Sequence, residues 1–129
     1  MPKPVKRRPT NAELEILRVI WQRGPSTVRQ IHDELGPRRK TGYTTVLKLL
    51  QIMAEKGLVE RDESQRSHVY SAARGEEETQ GQLVGDLMDR AFGGSAAQLV
   101  LRALSDKPAS AEEIAEIRRM LNDLEGGGK

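Results

Sequence analysis

The sequence has no cysteine and few aromatic residues, with one Phe, one Trp and two Tyr among 129 residues. Without cysteine there can be no disulfide, thiolate zinc site, iron–sulfur cluster or cysteine nucleophile, so packing alone must hold the fold. No apolar run approaches the roughly 18 residues that span a bilayer, and no signal-peptide core follows the basic start. These absences predict a cytoplasmic protein without membrane insertion, built from one domain or two small halves.

The net charge of +2 conceals two halves of opposite sign. Residues 1–75 carry 15 Lys and Arg against 8 Asp and Glu, whereas residues 76–129 carry 6 against 11. Such asymmetry indicates that the first half binds a polyanion. The alternative is that solvated charges are distributed by chance. We therefore expect the two halves to have different tasks.

Capping residues and Gly-Pro breaks delimit three helices in the basic half, after an arm at residues 1–9 that is rich in Pro and Lys/Arg and expected to be flexible. The helices are expected from Thr10 to Gly24-Pro25, from Ser26 or Thr27 to Gly36-Pro37, and from about Tyr43 to Lys56. Two β-strands, at 58–61 and 68–71, should follow around a polar turn. This order is that of a winged helix-turn-helix domain, placed at residues 10–75.

The third helix has two distinct faces. Its apolar stripe is Val46, Leu49, Leu50 and Met53, and its opposite face is short and polar, as a helix that reads the major groove requires. The residues expected to contact DNA are Arg38, Arg39, Lys40, Thr41, Tyr43, Thr44, Thr45, Lys48, Ile52 and Arg66. Lys3, Lys6, Arg7 and Arg8 of the arm would add phosphate contacts. The alternative is a helical domain whose polar face simply meets water.

The acidic half contains three more amphipathic helical segments, placed in a domain at residues 76–125 with a loose tail at 126–129. Their apolar anchors are too few for a stable separate core, so we expect them to pack against a second copy of the chain. The residues expected at this dimer interface are Leu83, Leu87, Met88, Phe92, Leu99, Val100, Leu104, Ile114, Ile117 and Leu121. The alternative is that these helices fold back on their own N-terminal domain.

No pattern of catalytic or metal-ligating residues is present. His32 and His68 stand far apart in the chain without an HExxH-type pair, and the sequence has neither G-x-S-x-G nor a Gly-rich phosphate loop. We therefore expect no enzyme activity, no metal and no cofactor. A winged-helix module that binds protein rather than DNA remains the second hypothesis, because the third helix has few Arg, Asn or Gln on its exposed face.

Four stretches resemble the penicillinase-repressor family: NAELEILRVIW, STVRQIHDEL, YTTVLKLLQIMAEKGLVER and SHVYSA. The resemblance runs from about Thr10 to Leu124. It implies a winged-helix DNA-binding domain, a helical dimerisation domain, and a homodimer that represses transcription at a palindromic operator. It also places the family's groove-facing residues on Thr44, Thr45, Lys48 and Ile52.

Several positions depart from the family pattern. Ile52 stands where the family usually has Arg, and Ser64 or Gln65 stands where the wing tip usually has Gly. A membrane sensor metalloprotease signals cleavage of the antibiotic-responsive members at an Asn-Phe bond, and the aligned pair here is Arg102-Ala103. Cleavage at that bond is therefore not expected, and the protease partner and inducer stay open. Copper-thiolate sensing, known in other members, is excluded by the lack of cysteine.

Overall fold

The computed structural model describes residues 8–36 and 41–126, which form six helices and one three-stranded antiparallel sheet. The helices are α1 (Asn11–Arg23), α2 (Val28–Leu35), α3 (Tyr43–Lys56), α4 (Glu76–Ala91), α5 (Ala96–Asp106) and α6 (Ala111–Gly126). The strands are β1 (Ser26–Thr27), β2 (Val59–Asp62) and β3 (Val69–Ala72), in the sheet order β1-β3-β2. The predicted mainly α winged helix-turn-helix is confirmed.

Two capping boxes begin α1 and α2. The Thr10 hydroxyl accepts a hydrogen bond from the backbone of Glu13, whose carboxylate accepts one from the backbone of Thr10. Thr27 and Gln30 make the same reciprocal pair, which identifies Thr27 rather than Ser26 as the cap of α2. Each box satisfies N–H groups that the first turn of a helix leaves without a partner.

The core of the winged helix lies between α1, α2, α3 and the sheet. Its buried apolar residues are Ile16, Leu17, Ile20, Val28, Ile31, Val46, Leu50, Met53, Val59 and Tyr70. The stripe predicted for α3 is therefore the packed one, although Leu49 is only half-buried. Burial of one side of α3 fixes which side faces outward.

Both predicted strands lie one residue later than expected, and one strand was not predicted. The N–H of Leu58 donates to the carbonyl of Met53, 2.9 Å away, so Leu58 takes part in the C-terminal cap of α3 and not in the strand. At the other strand, pairing ends at Val69 opposite Asp62 and leaves out His68. Strand β1 pairs Ser26 and Thr27 with β3, and two residues are too few to show a strand periodicity.

The chain divides into two compact units inside α4, between Leu83 and Val84, rather than at the change of composition after Gly75. The start of α4 belongs to the first unit, where Thr79 is buried and the indole of Trp21 donates to the carbonyl of Arg74 over 3.1 Å. Helix α6 extends to Gly126, one residue beyond the predicted end of the helical domain at 125. The arm at 1–7, the linker at 37–40 and residues 127–129 lie outside the described residues.

The second unit contains the rest of α4 with α5 and α6. Ser95 caps α5 by accepting from the backbone of Gln98, and the Ser110 hydroxyl accepts from the backbone of Glu113 at the start of α6. No described residue of this unit, 84–126, is buried in the single chain. Its helices therefore have well-formed ends but no core of their own.

Candidate nucleic-acid interface

Helix α3 presents a continuous polar surface on the side away from the core. Thr44, Thr45, Lys48, Gln51 and Ile52 are all exposed, whereas Val46, Leu50 and Met53 are completely buried. The helix ends at Gly57 in the left-handed conformation, with φ of 83°. A rigid helix with one face anchored and the other open has the geometry needed to enter the major groove.

The first turn of α3 contacts α2 through an aromatic cluster. The guanidinium carbon of Arg29 lies 5.4 Å from the ring centre of Tyr43, within range of a cation–π interaction. His32 meets the same ring edge-on, with ring centres 6.1 Å apart. Tyr43, the first residue of α3, is 41% exposed, and Thr41, just before the helix, is half-buried. Both are therefore accessible to solvent at the N-terminal end of α3.

The wing is the β2–β3 hairpin, whose turn includes Arg66. Asp62 accepts a hydrogen bond from the backbone of Ser64 over 2.9 Å, which forms the turn without glycine and lowers the pKa of this carboxyl. Hydrogen bonding with Tyr70, followed by the charge of Glu63, raises the pKa of Arg61. The Arg61 side chain is thus engaged by Tyr70 and Glu63, whereas Arg66 is exposed at the tip of the wing.

A surface cleft of about 460 Å³ separates the start of α2 from the wing, and we call it the α2–wing cleft. The exposed residues Arg29, Arg66 and His68 form its rim, and the more buried Val28, Leu47 and Tyr70 form its floor. Tyr43 also lines it, so the cleft adjoins the first turn of α3. No acidic side chain lines this cleft among the residues that the structure describes.

The structure thus brings together most of the predicted contact residues. Thr44, Thr45, Lys48 and Ile52 share the exposed side of α3, and Tyr43 lies in its first turn beside α2. Thr41 precedes the helix, and Arg66 lies on the wing. Arg38, Arg39 and Lys40, like Lys3, Lys6 and Arg7, lie outside the described residues, and Arg8 is exposed. Arg29 and His68 also lie beside this surface, where they line the α2–wing cleft, and no local sequence pattern predicts that placement.

The residues predicted at a dimer interface are half-buried or exposed in the single chain. Leu87, Val100 and Leu121 are exposed, and the half-buried members are Leu83, Met88, Phe92, Leu99, Leu104, Ile114 and Ile117. Exposed Val84, Leu101, Met120 and Leu124 add to this apolar surface. The structure holds one chain, so the interface stays a prediction.

The described residues, 8–36 and 41–126, have no group of three or more His, Asp or Glu placed to hold a metal ion. None of the helices among them combines the length and apolar composition needed to cross a membrane. What they do contain is three packed helices, a hairpin wing and an exposed polar third helix. These features define the class of winged helix-turn-helix proteins.

Comparison with known proteins gives the family within that class. Residues 9–123 match the family model described as penicillinase repressor. The chain is 34% identical over 116 residues to the transcriptional regulator BlaI of Mycobacterium tuberculosis, covering 89% of this chain and 83% of that protein. It is 23% identical over 113 residues to the penicillinase repressor of Staphylococcus aureus, covering 88% and 90%. The chain therefore belongs to the penicillinase repressor family of DNA-binding transcriptional regulators, which are not enzymes.

A solved structure supports the fold alone. The solution structure of the DNA binding domain of the repressor BlaI is 24% identical and superposes with a TM-score of 0.51, covering 60% of this chain and 93% of that one. The resemblance to the penicillinase-repressor family that the sequence predicted is confirmed by the family model and the two relatives.

Proposed function

We propose that this protein is a cytoplasmic repressor that binds operator DNA as a homodimer, with α3 of each copy in the major groove and the wing on the flanking backbone. The observation that carries the proposal is the division of α3 into a buried apolar face and an exposed polar face. Membership of the penicillinase repressor family supports repression as the activity. The exposed polar face of α3 is the surface that we expect to contact the operator.

The exposed side chains of α3 divide by their chemistry. Lys48 can donate to a guanine O6 and N7 or to a phosphate, and Thr44 and Thr45 can bond phosphates or base edges. Ile52 has no hydrogen-bonding group and suits the methyl group of a thymine. We therefore expect Lys48 and Ile52 to recognise bases. We expect Thr44 and Thr45 to orient the helix on the DNA.

Dimer formation is supported by the lack of a core in residues 84–126. Leu121 is 56% exposed and Leu101 is 54% exposed, although both lie on amphipathic helices. Apolar side chains exposed in this number cost free energy in water, and a closed two-fold dimer is the commonest way to cover them. Two linked copies also hold each other near paired half-sites, so the proposed operator is palindromic.

Repression then follows from occupancy of the promoter, and derepression follows from loss of the dimer. When one copy leaves, the other loses the high effective concentration that the link provides. A protease signal is one route to that loss. Arg102 and Ala103 are both exposed in the middle of α5, and Arg102 pairs with Asp106 over 3.6 Å. We expect cleavage, if it is the signal, to occur at another bond.

Salt dependence of DNA binding tests the proposal. Fluorescence anisotropy of the full chain with a labelled random duplex, repeated between about 50 and 200 mM salt, should show affinity falling steeply, because each neutralised phosphate releases counterions. A random duplex suffices because this term is independent of sequence. Negligible binding that does not respond to salt would contradict the proposal and favour a module that binds protein.

A further inference from the structure

We propose that the α2–wing cleft binds a phosphate of the DNA backbone. Arg29 of helix α2 and Arg66 and His68 of the wing are the residues that contact it. The inference rests on the proposed function. It adds to it a phosphate site and assigns a contact to Arg29, which lies outside α3 and outside the wing.

The first observation is the charge of the cleft. Two guanidinium groups and one imidazole lie on its rim, and the described lining includes no carboxylate. Arg29 and Arg66 are both exposed, so neither side chain is used to complete the core. A cationic rim of this kind complements a phosphodiester, and guanidinium groups match phosphate oxygens in paired hydrogen bonds.

The second observation is that the cleft is held rigidly. Strand β1 pairs Thr27 with Val69, which fixes the residue before α2 to the strand that follows the wing turn. The capping box of Thr27 and Gln30 then sets the first turn of α2, where Arg29 lies. The start of α2 and the base of the wing therefore keep a fixed separation, and less entropy is lost when a ligand bridges them.

The third observation is the orientation of Arg29. Its guanidinium stacks over the ring of Tyr43, 5.4 Å from the ring centre, beside the exposed face of α3. Stacking limits the rotamers of a side chain that would otherwise lose much freedom on binding. Tyr43 therefore acts as a positioning residue for Arg29, and a phosphate seated in the cleft would lie next to the groove that α3 enters.

The test measures how the logarithm of affinity changes with the logarithm of salt concentration, for the full chain and a labelled duplex. Arg29→Ala should weaken binding about tenfold and reduce the slope by about 1, alike on all sequences. Arg18→Ala is the matched control, because it removes the same charge from an exposed position on α1, away from the cleft. It should leave the slope unchanged.

A pair of variants tests the role of Tyr43. Tyr43→Phe keeps the ring under Arg29 and should weaken binding less than Tyr43→Ala, which removes the stack. On an Arg29→Ala background this difference between the two variants should disappear, because the ring then has no guanidinium to position. A melting curve for each variant checks the fold, which exposed positions should barely alter.

The outcomes separate this inference from the proposed function. If the wild type shows a steep slope and Arg29→Ala behaves like Arg18→Ala, the phosphate site is wrong while DNA binding stands. A wild type without salt-dependent binding contradicts the proposed function itself. Equal loss in Tyr43→Phe and Tyr43→Ala would show that the hydroxyl, not the stack, is what matters, and would overturn the positioning role.

Discussion

At the scale of single residues, one buried charge ties the first helix to the last turn of the third. Glu13 is 2% exposed, and its carboxylate accepts from the Lys56 ammonium at 2.8 Å and from the backbone of Thr10 at 2.9 Å. Lys56 keeps 28% of its side chain exposed. The carboxylate therefore bears the greater cost of desolvation, and the ammonium helps to offset it.

Replacing the lysine tests this balance. Lys56→Met should lower the free energy of unfolding by about 3 kcal/mol, because it leaves a carboxylate buried without its cation. Glu13→Gln should cost less, about 1 to 2 kcal/mol, since its amide can still accept from Thr10. Urea unfolding at neutral pH measures both. Equal stability of the wild type and Lys56→Met would show that the pair contributes nothing.

Lys48 is the exposed cation at the centre of the proposed reading face. On a duplex selected by the wild type from a random pool, Lys48→Ala should cost about 1 to 3 kcal/mol and relax the preference at one base pair, as for a side chain bidentate to guanine. Arg18→Ala, which removes a charge from an exposed position of α1, is the control. An equal loss on every sequence, with a smaller salt slope, would instead identify Lys48 as a phosphate contact.

At the scale of elements, α4 contains two glycines that its geometry does not require. Gly81 and Gly85 lie in the helix without positive φ, and a Cβ built on either meets no atom within 4 Å. Glycine in a helix interior costs roughly 1 kcal/mol relative to alanine. The weakest stretch of α4 therefore coincides with the division of the chain between Leu83 and Val84.

Alanine should accordingly stabilise this helix. Gly81→Ala and Gly85→Ala should each raise the free energy of unfolding by up to about 1 kcal/mol, read by thermal melting at one protein concentration. Gly57→Ala is the contrasting variant, because its φ of 83° strains any residue with a Cβ, and it should cost about 1 kcal/mol or more. A loss of stability in the α4 variants would indicate that another chain packs closely against these glycines.

At the scale of the whole molecule, the two halves differ in how they hold together. The winged helix has a buried core of ten apolar residues, whereas no described residue of the second unit is buried. The change of charge after Gly75 precedes the division of the units between Leu83 and Val84, so the acidic start of α4 belongs to the first unit.

Light scattering tests the dimer. The wild type at micromolar concentration should have twice the chain mass of 14.4 kDa, and Leu121→Glu should shift it toward the single-chain mass by placing a charge in the apolar contact. Glu112→Ala, at an exposed polar position of the same helix, should remain dimeric. A wild type with the mass of one chain would contradict the proposed dimer.

The sequence by itself determined the helices, their faces and the division of charge. Caps such as Thr10 with Glu13 and stops such as Gly57 act within a few residues, and a period of 3.6 assigns each side chain to a face, so local reading finds them. This was enough to predict the winged helix-turn-helix fold and the exposed residues of α3.

Only the tertiary structure decided which distant residues meet. The pairing of Thr27 with Val69, the ion pair between Glu13 and Lys56, and the placement of Arg29 across a cleft from the wing all join residues far apart in the chain. Such contacts have no local signal, because they depend on how the helices and the sheet pack around one core. That packing turned an ordinary arginine on α2 into the proposed phosphate contact.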